Sequence, residues 1–181
     1  MRFIHQVIEF LVRQSHKEYS RGVRAGATVL GALLFIAGIP AFVIWAGTRF
    51  NTGLMMPASF AHLISLVCFI IGIPWVVSSV VWQLMRGRGT PIPIVPTTEF
   101  LESGPYRYIR NPMMLGFFCY LLGWAFLVDR WPVVGMAAVV IACLLMYMKF
   151  IEEHELDERF GTAYQEYKKG TPFIFPRLFK R

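Results

Sequence analysis

The residues that decide the fold run from Ala58 to Met85 and read ASFAHLISLVCFIIGIPWVVSSVVWQLM, without one formally charged side chain. About 20 apolar residues cross the ~30 Å hydrocarbon core of a bilayer, so this stretch predicts a membrane-spanning helix. A second charge-free run, Ala25–Gly47, predicts another span. Two shorter apolar runs, Met113–Val128 and Pro132–Met148, are separated by three residues. We interpret them as a tight helical hairpin, which brings the predicted number of spans to four.

The overall composition supports a membrane protein. Of 181 residues, 56% are hydrophobic and only 16% are charged, whereas soluble domains carry roughly 25% charged residues. A soluble core of this length cannot bury so much apolar surface. The composition therefore excludes an ordinary soluble globule and a disordered chain. With three cysteines, it also excludes a disulfide scaffold. The predicted fold class is an all-α integral membrane protein.

The basic residues predict the orientation of the spans. Three segments, namely residues 1–24, residues 86–112 and the tail after the fourth run, carry 16 of the 18 Lys and Arg residues. The two remaining connections carry one each. Because basic residues concentrate on the cytoplasmic side of membrane proteins, we expect a multi-pass protein with both termini in the cytoplasm. The net charge of +7 then reflects orientation and anionic membrane lipids, and we expect no nucleic-acid partner.

The chain is predicted to form a single membrane domain. At its N-terminus, Ile4, Val7, Ile8 and Leu11 recur at helical spacing among polar residues, which predicts a helix lying in the membrane interface. The predicted parts are this interfacial helix (1–24), the first two spans (25–85), a cytoplasmic loop (86–112), the helical hairpin (113–150) and a cytoplasmic tail (151–181) that begins with an amphipathic helix.

Two prolines fall inside the first two spans, Pro40 and Pro74, each in a similar hexapeptide. A proline within a helix frees a backbone carbonyl and favours a kink. The pattern fits close packing of membrane helices. It also fits a bent pair of helices that leaves a lateral opening for a lipid-like substrate.

Polar residues concentrate in the loop and in the tail. In the loop, Arg107 and Arg110 precede the third run and are either lipid anchors or a fork for a carboxylate or phosphate group. In the tail, Glu152 and Glu153 begin an acidic segment. That segment is either a solvated, salt-bridged helix or one that presents the pair to a bound cation or hydroxyl group. The spacing of a helical zinc motif is missing, so no metal site is predicted.

Two motifs carry a family resemblance. The run GPYRYIRNPMMLG, Gly104–Gly116, resembles the signature G-P-Y-R-x-x-R-[HN]-P-x-Y-x-G of the isoprenylcysteine carboxyl methyltransferase and phospholipid methyltransferase superfamily. The segment Glu152–Tyr167 resembles that family's E-E-x-x-L-x-x-x-F-G-x-x-Y-x-x-Y. The resemblance covers about residues 87–176. It departs from the family at Met114, where the usual residue is tyrosine, so any role of a hydroxyl group there is lost.

The resemblance implies an integral membrane enzyme that transfers a methyl group from S-adenosylmethionine to a lipophilic acceptor, an isoprenylcysteine-type carboxylate or similar. It implies that Arg110 and Glu153 are the catalytic residues beside the acceptor. Arg110 would orient a carboxylate, and Glu153 would be the base for an amine acceptor. The residues that it places around the cofactor are Leu101, Gly104, Tyr106, Asn111 and Glu152. Two alternatives remain open: a membrane sterol or polyprenyl reductase that uses a nicotinamide cofactor, and a non-enzymatic four-helix membrane protein.

Overall fold

The computed structural model describes residues 2–15, 17, 19–87 and 99–175. Within these ranges the regular structure is entirely helical. The all-α prediction is therefore confirmed for the described part of the chain. Most of the predicted loop, residues 88–98, and the end of the tail, residues 176–181, lie outside the described residues.

Seven α-helices account for most of the described chain. In chain order they are α1 (Arg2–Ser15), α2 (Arg21–Leu33), α3 (Ile39–Thr48), α4 (Ala58–Arg86), α5 (Pro112–Val128), α6 (Trp131–Tyr147) and α7 (Glu153–Gly170). Two π-helical turns join helices end to end: Leu34–Gly38 links α2 to α3, and Met148–Glu152 links α6 to α7. A 3-10 turn covers Gly104–Arg107. The second helix of the predicted hairpin and the predicted tail helix thus join in one helical stretch from α6 into α7, which kinks at Gly161, where φ is +52° and ψ is −125°.

Three of the helical stretches are long and apolar enough to cross a membrane: Gly22–Thr48, Ala58–Arg86 and the stretch that begins at Trp131. The third stretch continues to Gly170, but its charged residues begin at Lys149. We therefore assign only its apolar part, before Lys149, to the membrane. Helix α5 is equally apolar but has 17 residues, about 26 Å at 1.5 Å per residue. The prediction of four spans depends on this shorter helix.

Helices α4 and α5 pack with their backbones in close contact. A Cβ atom built on Gly72 of α4 would lie 2.7 Å from the carbonyl oxygen of Gly116 on α5. A further link joins the same helices, because the Ser65 hydroxyl donates a hydrogen bond of 2.8 Å to the carbonyl oxygen of Gly123. Small residues allow such an approach between membrane helices. The contact holds the first residues of α5 beside the last turns of α4, where the candidate site lies.

The first span changes its helical geometry just before Pro40. The residues from Leu34 to Gly38 form a π turn, and Pro40 has no N–H to donate to the carbonyl oxygen of Ile36. The Tyr120 hydroxyl of α5 donates to that oxygen instead, at 2.9 Å. Helix α4, by contrast, runs through Pro74 without interruption. The carbonyl freed by the first proline therefore ties the first span to α5.

The N-terminal helix α1 packs on protein. Its residues Ile8 and Leu11 are buried, and the helix contacts α7 and the turn Met148–Glu152. The neighbouring Phe10 is half exposed. Part of the apolar face of α1 thus covers the region from which the two candidate glutamates project. That α1 lies in the membrane interface stays a prediction.

Candidate active site

A cleft lies where α4 ends and α5 begins, with α7 along its other side. It holds about 660 Å³ of empty space, part of which is open to solvent. Its enclosed volume is about 110 Å³, below the roughly 300–1,000 Å³ usual for small-molecule sites. Its walls combine polar, aromatic and aliphatic side chains, which are Gln83, Glu99, Phe100, Leu101, Tyr106, Arg110, Asn111, Pro112, Met113, Met114, Glu152, Leu156, Phe160, Tyr164 and Tyr167.

Five of the seven predicted site residues line this cleft: Leu101, Tyr106, Arg110, Asn111 and Glu152. The other two lie outside its walls. Glu153 is paired with Arg110 and is therefore one contact away from the cleft. Gly104 has φ +61°, and a Cβ on it would lie 2.5 Å from the ring of Trp82. The structure thus accounts for Gly104 by a turn that packs tightly on α4.

Glu153 lies at the centre of a cluster of cations. Its Oε1 accepts a hydrogen bond from Nη1 of Arg110. Its Oε2 accepts from the ammonium groups of Lys149, at 2.8 Å, and Lys168, at 3.2 Å. The side chains of Arg110 and Glu153 are 9% and 4% exposed, so this pair is largely shielded from water. The Nε atom of Arg110 is buried and has no hydrogen-bond partner among the described residues, which leaves a donor for a ligand.

Glu152, the last residue of the π turn, and Glu153, the first residue of α7, lie on different faces of the helical stretch. Glu152, Leu156 and Phe160 follow one another at i, i+4 spacing and all line the cleft. Lys149 and Glu153 occupy the neighbouring row and bind each other. Side chains four residues apart share a helix face, whereas consecutive ones do not. Adjacent glutamates therefore meet different surroundings.

These surroundings shift the two pKa values in opposite directions. Burial raises the pKa of Glu152 to about 7, and the nearby charges of Glu155 and Glu153 add to the effect. For Glu153, burial also raises the pKa, but the hydrogen bond from Lys149 and the charge of Arg110 outweigh it, so the net pKa is lowered. Glu153 is thus a fixed carboxylate, while Glu152 can gain or lose a proton near neutral pH.

Aromatic residues that the sequence analysis did not assign to the site form one wall of the cleft. The ring of Phe100 lies 5.2 Å from those of Phe160 and Tyr167 and 6.1 Å from that of Tyr164. The Tyr167 hydroxyl donates to the carbonyl oxygen of Tyr106, at 2.6 Å. Such rings bind planar aromatic groups and cations. The helical spacing of the tail aromatics was visible in the sequence, but it did not distinguish a site from a packing face.

An apolar groove adjoins the cleft. It lies between the first span and α4 and holds about 800 Å³ of empty space, and Met113 lines both the groove and the cleft. Its remaining lining is almost entirely aliphatic or aromatic, consisting of Thr28, Gly31, Ala32, Phe35, Ile36, Val76, Val77, Val80 and Val81. The groove passes the π turn of the first span. The groove lies between the two spans that contain the prolines, and its use as a lateral opening for a substrate stays a prediction.

The fold and the cleft together define a class: an integral membrane protein with a cleft of polar and apolar side chains at one end of its helices. The comparison with known families is more specific. Residues 60–163, more than half of the chain, match the phospholipid methyltransferase family. The chain belongs to that family, as its two motifs predicted.

Two curated relatives share part of the sequence. One is methanethiol S-methyltransferase 2 of Bradyrhizobium diazoefficiens, 37% identical over 76 residues, which are 42% of this chain and 28% of the relative. The other is the nickel-cobalt-cadmium resistance protein NccN of Alcaligenes xylosoxydans xylosoxydans, 31% identical over 84 residues, which are 45% of this chain and 38% of the relative. The matched region is therefore well under half of either relative.

Proposed function

We propose that this protein is a membrane methyltransferase that uses S-adenosylmethionine to methylate an apolar acceptor carrying a carboxylate or thiolate group. The observation that carries the proposal is the junction at Met113, where a polar cleft with an available guanidinium donor meets an apolar groove. Family membership supports methyl transfer over the reductase and the non-enzymatic protein considered above. A thiol is included because one relative is named for methylating methanethiol.

The cleft residues fit S-adenosylmethionine. Glu152 offers carboxylate oxygens to an ammonium or hydroxyl group, and the wall around Phe100 offers aromatic faces to an adenine ring or a sulfonium. Gln83 adds a buried amide oxygen that has no partner among the described residues. We therefore propose that Glu152, with Tyr106 and Asn111, holds the cofactor. When bound, it supplies an electrophilic methyl group, which a lone pair of the acceptor takes as the carbon–sulfur bond breaks.

We further propose that Arg110 orients the acceptor and that Glu153 orients Arg110. A carboxylate or thiolate already carries a nucleophilic lone pair, so its methylation needs no base. An amine must first lose a proton. Glu153 is a poor base for that step because three cations lower its pKa. Its ion pairs instead suit a role in fixing the guanidinium, which can bind an anionic head group through its remaining donors.

The proposed path of the acceptor begins in the membrane. An acceptor with an apolar chain would leave the bilayer through the groove beside α4 and place its head group past Met113. On the positive-inside rule, the cleft faces the cytoplasm. Membrane lipids surround the groove in this arrangement. The apolar chain of the acceptor would therefore stay in apolar surroundings while its head group enters the cleft.

Methyl incorporation into a defined acceptor tests the proposal. Membranes containing the protein are incubated with methyl-labelled S-adenosylmethionine and one of three acceptors: a prenylated cysteine, a long-chain thiol or an amino phospholipid. We expect labelled ester or thioether. We also expect at least a tenfold loss in Arg110→Ala, while Arg107→Ala retains incorporation because that motif arginine is exposed and does not line the cleft. No label above that of membranes lacking the protein, or label in the amino phospholipid alone, would contradict the proposal.

A further inference from the structure

The residues that follow α7 cross over the turn that precedes α5. The backbone N–H of Arg110 donates to the carbonyl oxygen of Pro172, at 2.9 Å. The side-chain amide of Asn111 donates to the carbonyl oxygen of Phe173, at 3.1 Å. On either side of these contacts, Thr171 and Ile174 are buried. We call residues 171–174 the C-terminal strap, because they tie the end of α7 to two of the predicted site residues.

The ring of Phe173 contacts two of the cations that bind Glu153. It lies 5.3 Å from Cζ of Arg110 and 5.4 Å from Nζ of Lys149. A cation within about 6 Å of an aromatic ring is attracted by the negative charge on the ring face. Phe173 itself does not line the cleft. Its contacts reach the proposed acceptor site only through Arg110.

A contact from outside α7 matters because a guanidinium is fixed best by contacts from several directions. Arginine has a long, flexible side chain that loses substantial rotamer entropy when it is held in place. The hydrogen bond from Nη1 to Glu153 and the contact with the Tyr164 hydroxyl both come from α7. The ring of Phe173 supplies a further contact to the same group, and the strap fixes the backbone from which the side chain starts.

We propose that Phe173 is a positioning residue, which together with the strap holds the Arg110 guanidinium at the wall of the cleft. The proposal rests on the proposed function, in which Arg110 contacts the acceptor. It assigns a role to a residue outside both family motifs. The ring would act on the orientation of the acceptor and leave cofactor binding unaffected, because the strap reaches the cofactor residue Asn111 through the backbone carbonyl of Phe173, which a side-chain substitution keeps.

Substitutions at Phe173 test this role against a neighbouring control. Phe173→Leu keeps an apolar side chain but removes the ring, and should lower kcat/KM for the acceptor about fivefold, the factor that corresponds to about 1 kcal/mol. Phe173→Tyr keeps the ring and should restore the wild-type value. The control is Phe175→Leu, which changes the same residue type at a position that is 76% exposed, and it should behave like the wild type. Calorimetry should give cofactor affinities within twofold of one another.

The rate of hydrogen exchange in the peptide containing Arg110 reports how firmly this segment is held, and it does not depend on enzyme activity. Its amide protons should exchange several-fold faster in Phe173→Leu than in the wild type or in Phe175→Leu. Phe173→Met, a second apolar variant, replaces the leucine variant if that protein does not fold. Wild-type kcat/KM in the leucine variant, an equal loss in Phe175→Leu, or a parallel loss of cofactor affinity would overturn the proposal. If the wild type methylates no acceptor, the proposed function fails, whereas unchanged exchange at Arg110 would refute the positioning role itself.

Discussion

Replacing Glu153 by glutamine separates the structural role of its ion pairs from their role in the site. The change keeps the shape of the side chain but removes its charge, and leaves the Arg110 guanidinium, 9% exposed, without its carboxylate. Lys149 and Lys168 are 51% and 33% exposed, so water compensates them far better. The loss of stability therefore comes mainly from Arg110, and breaking a buried pair costs about 3 kcal/mol. At ~2–4 °C per kcal/mol, the melting midpoint should fall by roughly 6–12 °C.

A second buried ion pair on α7 provides the matched control. Glu155 accepts a hydrogen bond from Arg159 at 2.7 Å, with side chains 4% and 6% exposed, and neither residue lines the cleft. Glu155→Gln should therefore lower the melting midpoint as well. Methyl transfer, measured below both midpoints, should fall at least tenfold in Glu153→Gln and stay within twofold of the wild type in Glu155→Gln. Equal turnover in the two variants would refute the argument that Glu153 acts through Arg110.

Two further predictions concern the cleft carboxyl and the helix contact. The pKa of Glu152 is raised from 4.5 to about 7, so its contribution to stability is present at low pH and lost as the pH rises through that range. Melting midpoints between pH 5 and 8 should show this fall in the wild type and a flatter profile in Glu152→Gln; identical profiles would contradict it. Gly72→Ala should destabilise the protein by about 1–3 kcal/mol, because its Cβ meets the backbone of α5 at 2.7 Å. Gly135→Ala, with nothing within 4 Å, should not, and equal midpoints would count against the packing argument.

The membrane fold was predictable because a helix that crosses the lipid core needs about 20 consecutive apolar residues, and such runs are visible in the sequence. Long uncharged runs predicted α4 and the helical stretch Gly22–Thr48, and the three-residue gap predicted the turn at Asp129. Composition could not decide whether α5, with 17 residues, crosses a bilayer. Nor could it distinguish lipid from protein as the cover for the apolar face of α1, because both are apolar surroundings for Ile8 and Leu11.

The candidate site was predictable as a set of residues but not as a geometry. The resemblance of the two motifs to the family predicted that Arg110 and Glu153 belong together, although 43 positions separate them. Helical spacing places the adjacent residues Glu152 and Glu153 on different faces, but it does not indicate which of the two lines the cleft. Phe173 belongs to no periodic pattern, so its contacts could not be inferred. These features depend on tertiary contacts, which local sequence does not encode.

The charge of the cluster around Glu153 bears on which acceptor the site would accommodate. Arg110, Lys149 and Lys168 supply three positive charges; Glu153 and Asp157, which binds Lys168 at 3.2 Å, supply two negative ones. The cluster is left with one positive charge, beside a cleft that opens onto an apolar groove and whose walls also carry the carboxyl groups of Glu99 and Glu152. An acceptor whose head group carries one negative charge would neutralise that excess. The ion pair would offset the free-energy cost of removing the head group from water. A protonated amine would add to the excess. On the proposed function, the cluster itself therefore favours carboxylates and thiolates, and the glutamine variant of Glu153, which enlarges the excess positive charge, should not acquire activity toward amines.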